Sequence, residues 1–476
     1  MAGWTSSYKL LLEEVIQRRD EGVVVPAELQ ARIDALHWTA DAWNDQAVDP
    51  LYDALMALPG DDALAAQEPN ELQAIRALRP DGPRDLGWKP DEAELLDRLH
   101  GAWTGRCVGC ALGQPVEGLG MTAEGGRPVG RARIKEYLQA RGDWPLRDYF
   151  SIRDRGDALI GKGASVREHI TCMGPDDDIH YSLVGLGVVE ERGPDFNWTD
   201  VAFYWTGHIP FGAICTAETQ ALLNFWNRSI RWPGADNVAC TEAWTRRHRN
   251  PYREWIGAQI RSDGWAWVCA GKPELAAEFA WRDASWTHER NGIHGEMFMA
   301  AMQAAAFVVH DPLELVRIGL SEIPVKCRLA VAVRDLVAAL PGLANWEDAM
   351  EWVEHRCASI SPWHIWAGKR VAGMNPVHTI NNALVCIVGL VYGRMDTVET
   401  PAVAVMCGLD TDCNGASVGS IVGAASGRAK FKDDLAGRLN DTIKPQMIGF
   451  QEVRMRDLAA RTAVQWRRVD QTRRSK

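Results

Sequence analysis

No stretch of this chain approaches the roughly 18 consecutive apolar residues that a membrane span requires. The most apolar runs, Ala383–Tyr392 and Val418–Ala425, are too short and too rich in glycine. Basic residues are also in deficit: 52 Lys and Arg stand against 63 Asp and Glu, a formal charge of -11. That balance argues against a protein that grips nucleic acid by neutralising phosphates. Spaced cysteine pairs are missing too. Of 11 cysteines only Cys107 and Cys110 form a CxxC, with no second pair at zinc-site spacing, so they read as reduced, helix-packing thiols. The opening MAGWTSSYKLLLEE lacks a basic stretch followed by an apolar one, so the expectation is a cytoplasmic protein.

Period-two alternation is scarce, which weighs against sheet. Apolar residues at spacings of three and four mark helices instead. Tyr8–Arg19 and Pro26–Trp43 carry this pattern, as do Pro273–Arg282, Gly295–Val309 and Glu347–Cys357. Leu96, Leu99 and Trp103 share one helical face. Pro80, Gly82, Pro83 and Gly87 within Arg79–Lys89 mark a linker. The expected organisation is a helical extension over 1–90, one large all-α domain over 91–463 and a basic tail over 464–476, with Arg467–Lys476 as a frayed end. The 21 tryptophans read mainly as core, with some free to stack on a base or sugar.

Two segments repeat glycine every fourth residue: Gly101, Gly105, Gly109, Gly113, and Gly415, Gly419, Gly423, Gly427. Each such glycine costs up to about 1 kcal/mol in a helix interior relative to alanine. Backbone-to-backbone packing of two central helices is the expected compensation.

Carboxylates cluster beside these segments. Gly174 and Pro175 break the chain just before Asp176, Asp177 and Asp178, and a helical pattern follows. One or two aspartates there would serve as cap and dipole partners. Three repel one another, by about 4 kcal/mol per pair at 4 Å and an effective dielectric near 20; a hard divalent cation relieves this. Asp410 and Asp412 alternate just before the second glycine segment. Glu117 follows the first, at a loop, where it can serve as a general base or as a ligand to bound water.

Together, Gly101–Gly118, Asp176–Asp178 and Gly408–Gly427 resemble the ADP-ribosylglycohydrolase family, which includes dinitrogenase-reductase-activating glycohydrolase. The resemblance spans roughly 96–440. It implies an all-α fold with two magnesium or manganese ions in a central cleft, and cleavage of the glycosidic bond that joins ADP-ribose to an acceptor. It implies metal ligands at Asp176, Asp177, Asp178, Asp410, Asp412 and Cys413. Asp176 replaces a threonine of the family pattern, Cys413 replaces a hydroxyl residue, and Cys110 replaces an aspartate. Glu117 matches the family's active-site glutamate, and Glu117, Asp177 and Asp412 are the expected catalytic residues. Asn250–Asp263, Asp283–Phe298 and His378–Asn382 resemble a bacterial branch of the family, which implies substrate contacts at Glu117, His288 and Asn291.

The expected substrate is an ADP-ribosylated protein or a ribosylated small molecule. Two alternatives stay open: a glycosidase for another nucleoside-like compound, and a non-catalytic structural relative.

Overall fold

The computed structural model describes residues 3–36, 46–152, 163–229 and 239–474. Among these the chain is helical, and sheet is confined to three two-stranded antiparallel hairpins. The longest pairs Trp363–Trp366 with Lys369–Ala372. The expected all-α class holds. No helix among the described residues is long and apolar enough to cross a membrane.

The centre of the molecule is a pair of antiparallel helices, Glu92–Gly113 and Thr411–Ser426. Asp91 caps the first, its carboxylate accepting from the Glu94 amide at 2.8 Å. The glycine stripes face one another. A Cβ placed on Gly105 would stand 2.0 Å from the Gly419 carbonyl oxygen, and one on Gly109 would stand 1.9 Å from that of Gly415. Any larger side chain would force these backbones apart, so the cost of glycine in a helix is offset by main-chain contact. Asn291–Ala306 is buried along its whole length, its mostly apolar surface interrupted by the buried Asn291, His294, Glu296 and Gln303. Trp103 meets Trp267 edge-on at 4.5 Å, and the Trp103 indole donates to Thr462 Oγ1 at 3.1 Å.

The other expected helices appear as Ser7–Asp20, Pro273–Ala284 and Trp346–Ala358. The expected Pro26–Trp43 helix is present over Ala27–Asp34; its continuation at 37–45 lies outside the described residues. Arg79–Lys89 carries no helix or strand, and it is fastened to the domain: Arg79 and Arg84 both pair with Glu322 at 2.5 and 2.7 Å. One expectation is corrected. Of the expected frayed end Arg467–Lys476, residues 467–474 are helical, within helix Met455–Arg474, and 475–476 lie outside the described residues. Val469 is buried, and Asp470 pairs with Lys272 at 2.8 Å.

The first ninety residues have a small core of their own, built on Leu11, Ile33 and Leu55. They also reach into the main domain. Arg253, fully buried, donates to Glu14 at 2.8 Å and Glu21 at 2.6 Å. Arg328 binds Glu68 and Glu254, each at 2.7 Å.

Candidate metal centre

Four stretches of chain deliver the site. The first glycine helix ends at Gly113, and one tight turn later Glu117 opens a short helix, Glu117–Gly120. Asp176 caps helix Asp177–Arg192, its carboxylate accepting from the Asp178 amide at 3.1 Å. The chain enters the second glycine helix through Gly408 and Leu409, both left-handed at φ 77° and 61°. That conformation costs a non-glycine residue about 1–2 kcal/mol, and such strain gathers at functional sites. Asp410 then holds the capping position without a side-chain capping bond. Thr411 Oγ1 donates to the Gly113 carbonyl at 2.8 Å, which locks the start of one glycine helix to the end of the other. The fourth stretch, Cys215–Glu218, forms part of the cavity wall.

Three groups of potential ligands result: Glu117 with Asp410 and Asp412; Asp178 with Asp412 and Cys413; and Cys110 with Asp176 and Asp178. Within each group the ligand atoms lie within 4.8 Å of one another. The groups share Asp178 and Asp412, so they form one continuous centre. It adjoins a cavity of about 360 Å³ whose wall includes Glu117, Asp177, Asp410, Asp412 and Cys413. Asp177 therefore reaches the cavity but joins none of the three groups.

The electrostatics are those of an overcharged site. Burial pushes the Asp412 carboxyl well above the usual range, and Glu117, Asp176 and Asp410 push it further. Burial also raises Asp178; Arg106 opposes this and Asp176 reinforces it. The Cys413 and Cys110 thiols are raised by burial and by the surrounding aspartates, so they stay neutral and are weak metal ligands. The oxygen-rich donor set fits hard divalent cations, whose charge would offset the mutual repulsion of the carboxylates.

Several residues that shape the centre carry no motif. Arg106, fully buried, donates to Asp178 Oδ1 at 2.6 Å and to the Asp178 and Ile260 carbonyls, and it pairs with Asp263 at 3.0 Å. Gln114 donates to Asp176 at 2.5 Å. Asn382 accepts from Asn414 at 2.7 Å and from the Asp410 amide at 3.4 Å. Glu218 lines the cavity, held by Arg261 at 2.6 Å; burial, against the pull of that guanidinium, pushes its carboxyl up to about 7.

His288 and Asn291 do not line the cavity. His288 Nε2 stands 3.9 Å from Glu218, behind the wall, and burial holds its ring neutral. Asn291 is spent elsewhere: it donates to Glu68 and Glu254, each at 2.8 Å, and accepts from the Leu329 amide at 2.9 Å.

The family model described as ADP-ribosylglycohydrolase matches residues 91–470. A solved structure titled "ADP-ribosylglycohydrolase-related protein complex" is similar at 18% identity, with a TM-score of 0.48, over 79% of this chain and 99% of the other. No curated protein matches the chain.

Proposed function

The chain belongs to the ADP-ribosylglycohydrolase family, and from that premise we propose that it is a metal-dependent hydrolase of a ribosyl glycosidic bond, of the kind that joins ADP-ribose to an acceptor. The observation that carries this reading is the meeting of Glu117, Asp176, Asp178, Asp410 and Asp412, from three distant parts of the sequence, in linked groups of potential ligands beside one cavity. Two magnesium or manganese ions suit the donor set. When bound, they supply the positive charge that offsets these carboxylates and activates water.

The protein's own residues have distinct tasks in this reading. Asp176, Asp178, Asp410 and Asp412 hold the ions; Cys413 and Cys110 fill the shell as neutral thiols. Glu117 accepts the proton of the water that attacks the anomeric carbon. As the glycosidic bond breaks, positive charge develops on the sugar ring, and the surrounding carboxylates, Asp177 included, stabilise it. Arg106 keeps Asp178 in place through its backbone and side-chain bonds.

The test is calorimetric titration of Mn2+ and Mg2+ into the wild type and Asp412→Asn, with hydrolysis of ADP-ribosylated arginine followed in parallel. Asp412→Asn is expected to lose both metal binding and turnover. Turnover that persists in metal-free buffer would overturn the reading. Absence of binding at millimolar metal would favour a non-catalytic relative.

A further inference from the structure

The cavity wall contains two residues that precede the family-matched segment by more than eighty positions. Trp4 and Lys9 line the same space as Glu117, Asp177 and Asp412. They are held there firmly. Tyr252 Oη donates to the Trp4 carbonyl at 2.6 Å. Leu10 packs against Tyr252 and Ala217. Arg253, next to Tyr252, is fully buried and clamped by Glu14 and Glu21 of the same N-terminal segment. A pinned element of this kind is part of the site's wall and not a loose arm laid across it.

The chemistry of this wall differs from that of the metal centre. Trp4, Trp255 and Trp366, each partly exposed, supply aromatic surface, and the fully buried Tyr252 ring meets Trp255 edge-on at 4.6 Å. Lys9 is the basic residue among the described lining residues. Its ammonium donates to the buried Glu13, which fixes it, and a lysine has two further N–H donors. Aromatic faces accept a planar base, and an ammonium accepts an anionic group. The cavity of about 360 Å³ is at the small end of ligand sites, which run from roughly 300 to 1,000 Å³.

We propose that the Gly3–Asp20 segment is a substrate-selecting wall, in which Trp4 and Lys9 contact a small ribosylated molecule bearing a planar base and an anionic group. The proposal rests on the ribosyl-hydrolase reading for what the metal centre does, and adds which substrates reach it. It makes a free small molecule, and not an ADP-ribosylated folded protein, the preferred substrate.

The test uses the full-length protein with Mn2+. Binding of free ADP-ribose is measured by calorimetry for the wild type, Trp4→Ala, Trp4→Phe and Lys9→Gln, with melting curves to exclude misfolding. Trp4→Ala is expected to weaken binding about tenfold or more, Trp4→Phe to restore most of it, and Lys9→Gln to weaken it about fivefold. In turnover, ADP-ribosylated free arginine is expected to exceed an ADP-ribosylated protein at least tenfold in kcat/KM, and Trp4→Ala to raise KM with little change in kcat. A wild type that does not bind ADP-ribose, a Kd unmoved by Trp4→Ala and Lys9→Gln, or a preference for the protein substrate overturns the proposal. If binding responds to Trp4 but neither substrate turns over, the hydrolase reading fails and the binding wall stands.

Discussion

The metal centre and the junction between the N-terminal segment and the main domain both bury several carboxylates, but their surroundings differ. At the junction, burial pushes Glu21 up, yet Arg253 and Arg247 outweigh it and hold the carboxyl at about 2. Glu68 and Glu254 are likewise buried, and Arg328 brings both below the usual range. At the centre, Asp178 and Asp412 move the opposite way. Arg106 pairs with Asp178 and shares its guanidinium with Asp263, while Glu117, Asp176 and Asp410 add to the burial that raises Asp412. The junction is electrically complete within the chain, and so it is structural. At the centre, neighbouring carboxylates add to the effect of burial on Asp178 and Asp412. Burial of acids alone does not separate the two cases; the balance of partners does.

The largest expected effect lies at the junction. Arg253→Met leaves buried Glu14 with Tyr52 and buried Glu21 with Arg18 in place of the guanidinium they share, and should cost about 3–5 kcal/mol in urea unfolding. A loss under about 1 kcal/mol would mean that the junction is not a closed network.

The next lies beside it. His378 Nδ1 accepts the Ile380 amide at 3.1 Å and so caps helix Thr379–Tyr392. That bond needs an unprotonated nitrogen. Burial, against the pull of Glu254, lowers the ring's pKa to about 4. The stability this contributes is fully present above 6.5, the unfolded value, and is lost as pH falls towards and through 4. The total is about 3 kcal/mol. His378→Asn, which keeps a capping acceptor, should flatten that part of the stability–pH curve. An unchanged curve would assign the acid loss to other groups.

Metal should then act on one region alone. Mg2+ or Mn2+ at a hundredfold over its Kd should stabilise the wild type by about 2.7 kcal/mol. Asp412→Asn should abolish the response, and Lys9→Gln should keep it. Melting temperatures that ignore both metal and chelator would erase the distinction between the two regions.

The smallest effect has the most telling sign. In metal-free protein near pH 8, Asp412→Asn removes a repelled charge and should raise stability by about 1 kcal/mol. A raised carboxyl stabilises at low pH and loses that contribution as pH rises, so the gain should shrink on acidification. Glu21→Gln at the junction should destabilise under the same conditions. Equal signs for the two substitutions would refute the comparison.

The two sites were unequally legible in the sequence. The glycine stripes were readable because a four-residue period has a single helical meaning, and their cost demanded a partner. The aspartate runs were readable because like charges placed side by side need a reason. Arg106 was not readable, since one arginine inside a helix reads as a solvated charge until the fold encloses it. Trp4 and Lys9 were hidden for a similar reason, because no local pattern tells that the tenth residue meets Tyr252. The tryptophans divided only in three dimensions. Trp103, Trp205, Trp265, Trp267 and Trp286 are fully buried core residues, whereas Trp4, Trp255 and Trp366 line the cavity. Asn291 followed from family likeness, and its side chain serves the junction in this chain.

The glycine pair also has a consequence for synthesis. Gly101–Gly113 leaves the ribosome roughly 300 residues before Gly415–Gly427. At roughly 5–20 residues per second the first helix waits about 15–60 s for the surface it must touch. Throughout that interval it presents a groove of bare backbone, and Glu117 stands apart from Asp410 and Asp412. A chain released early therefore lacks half its centre, however well its first 400 residues have folded.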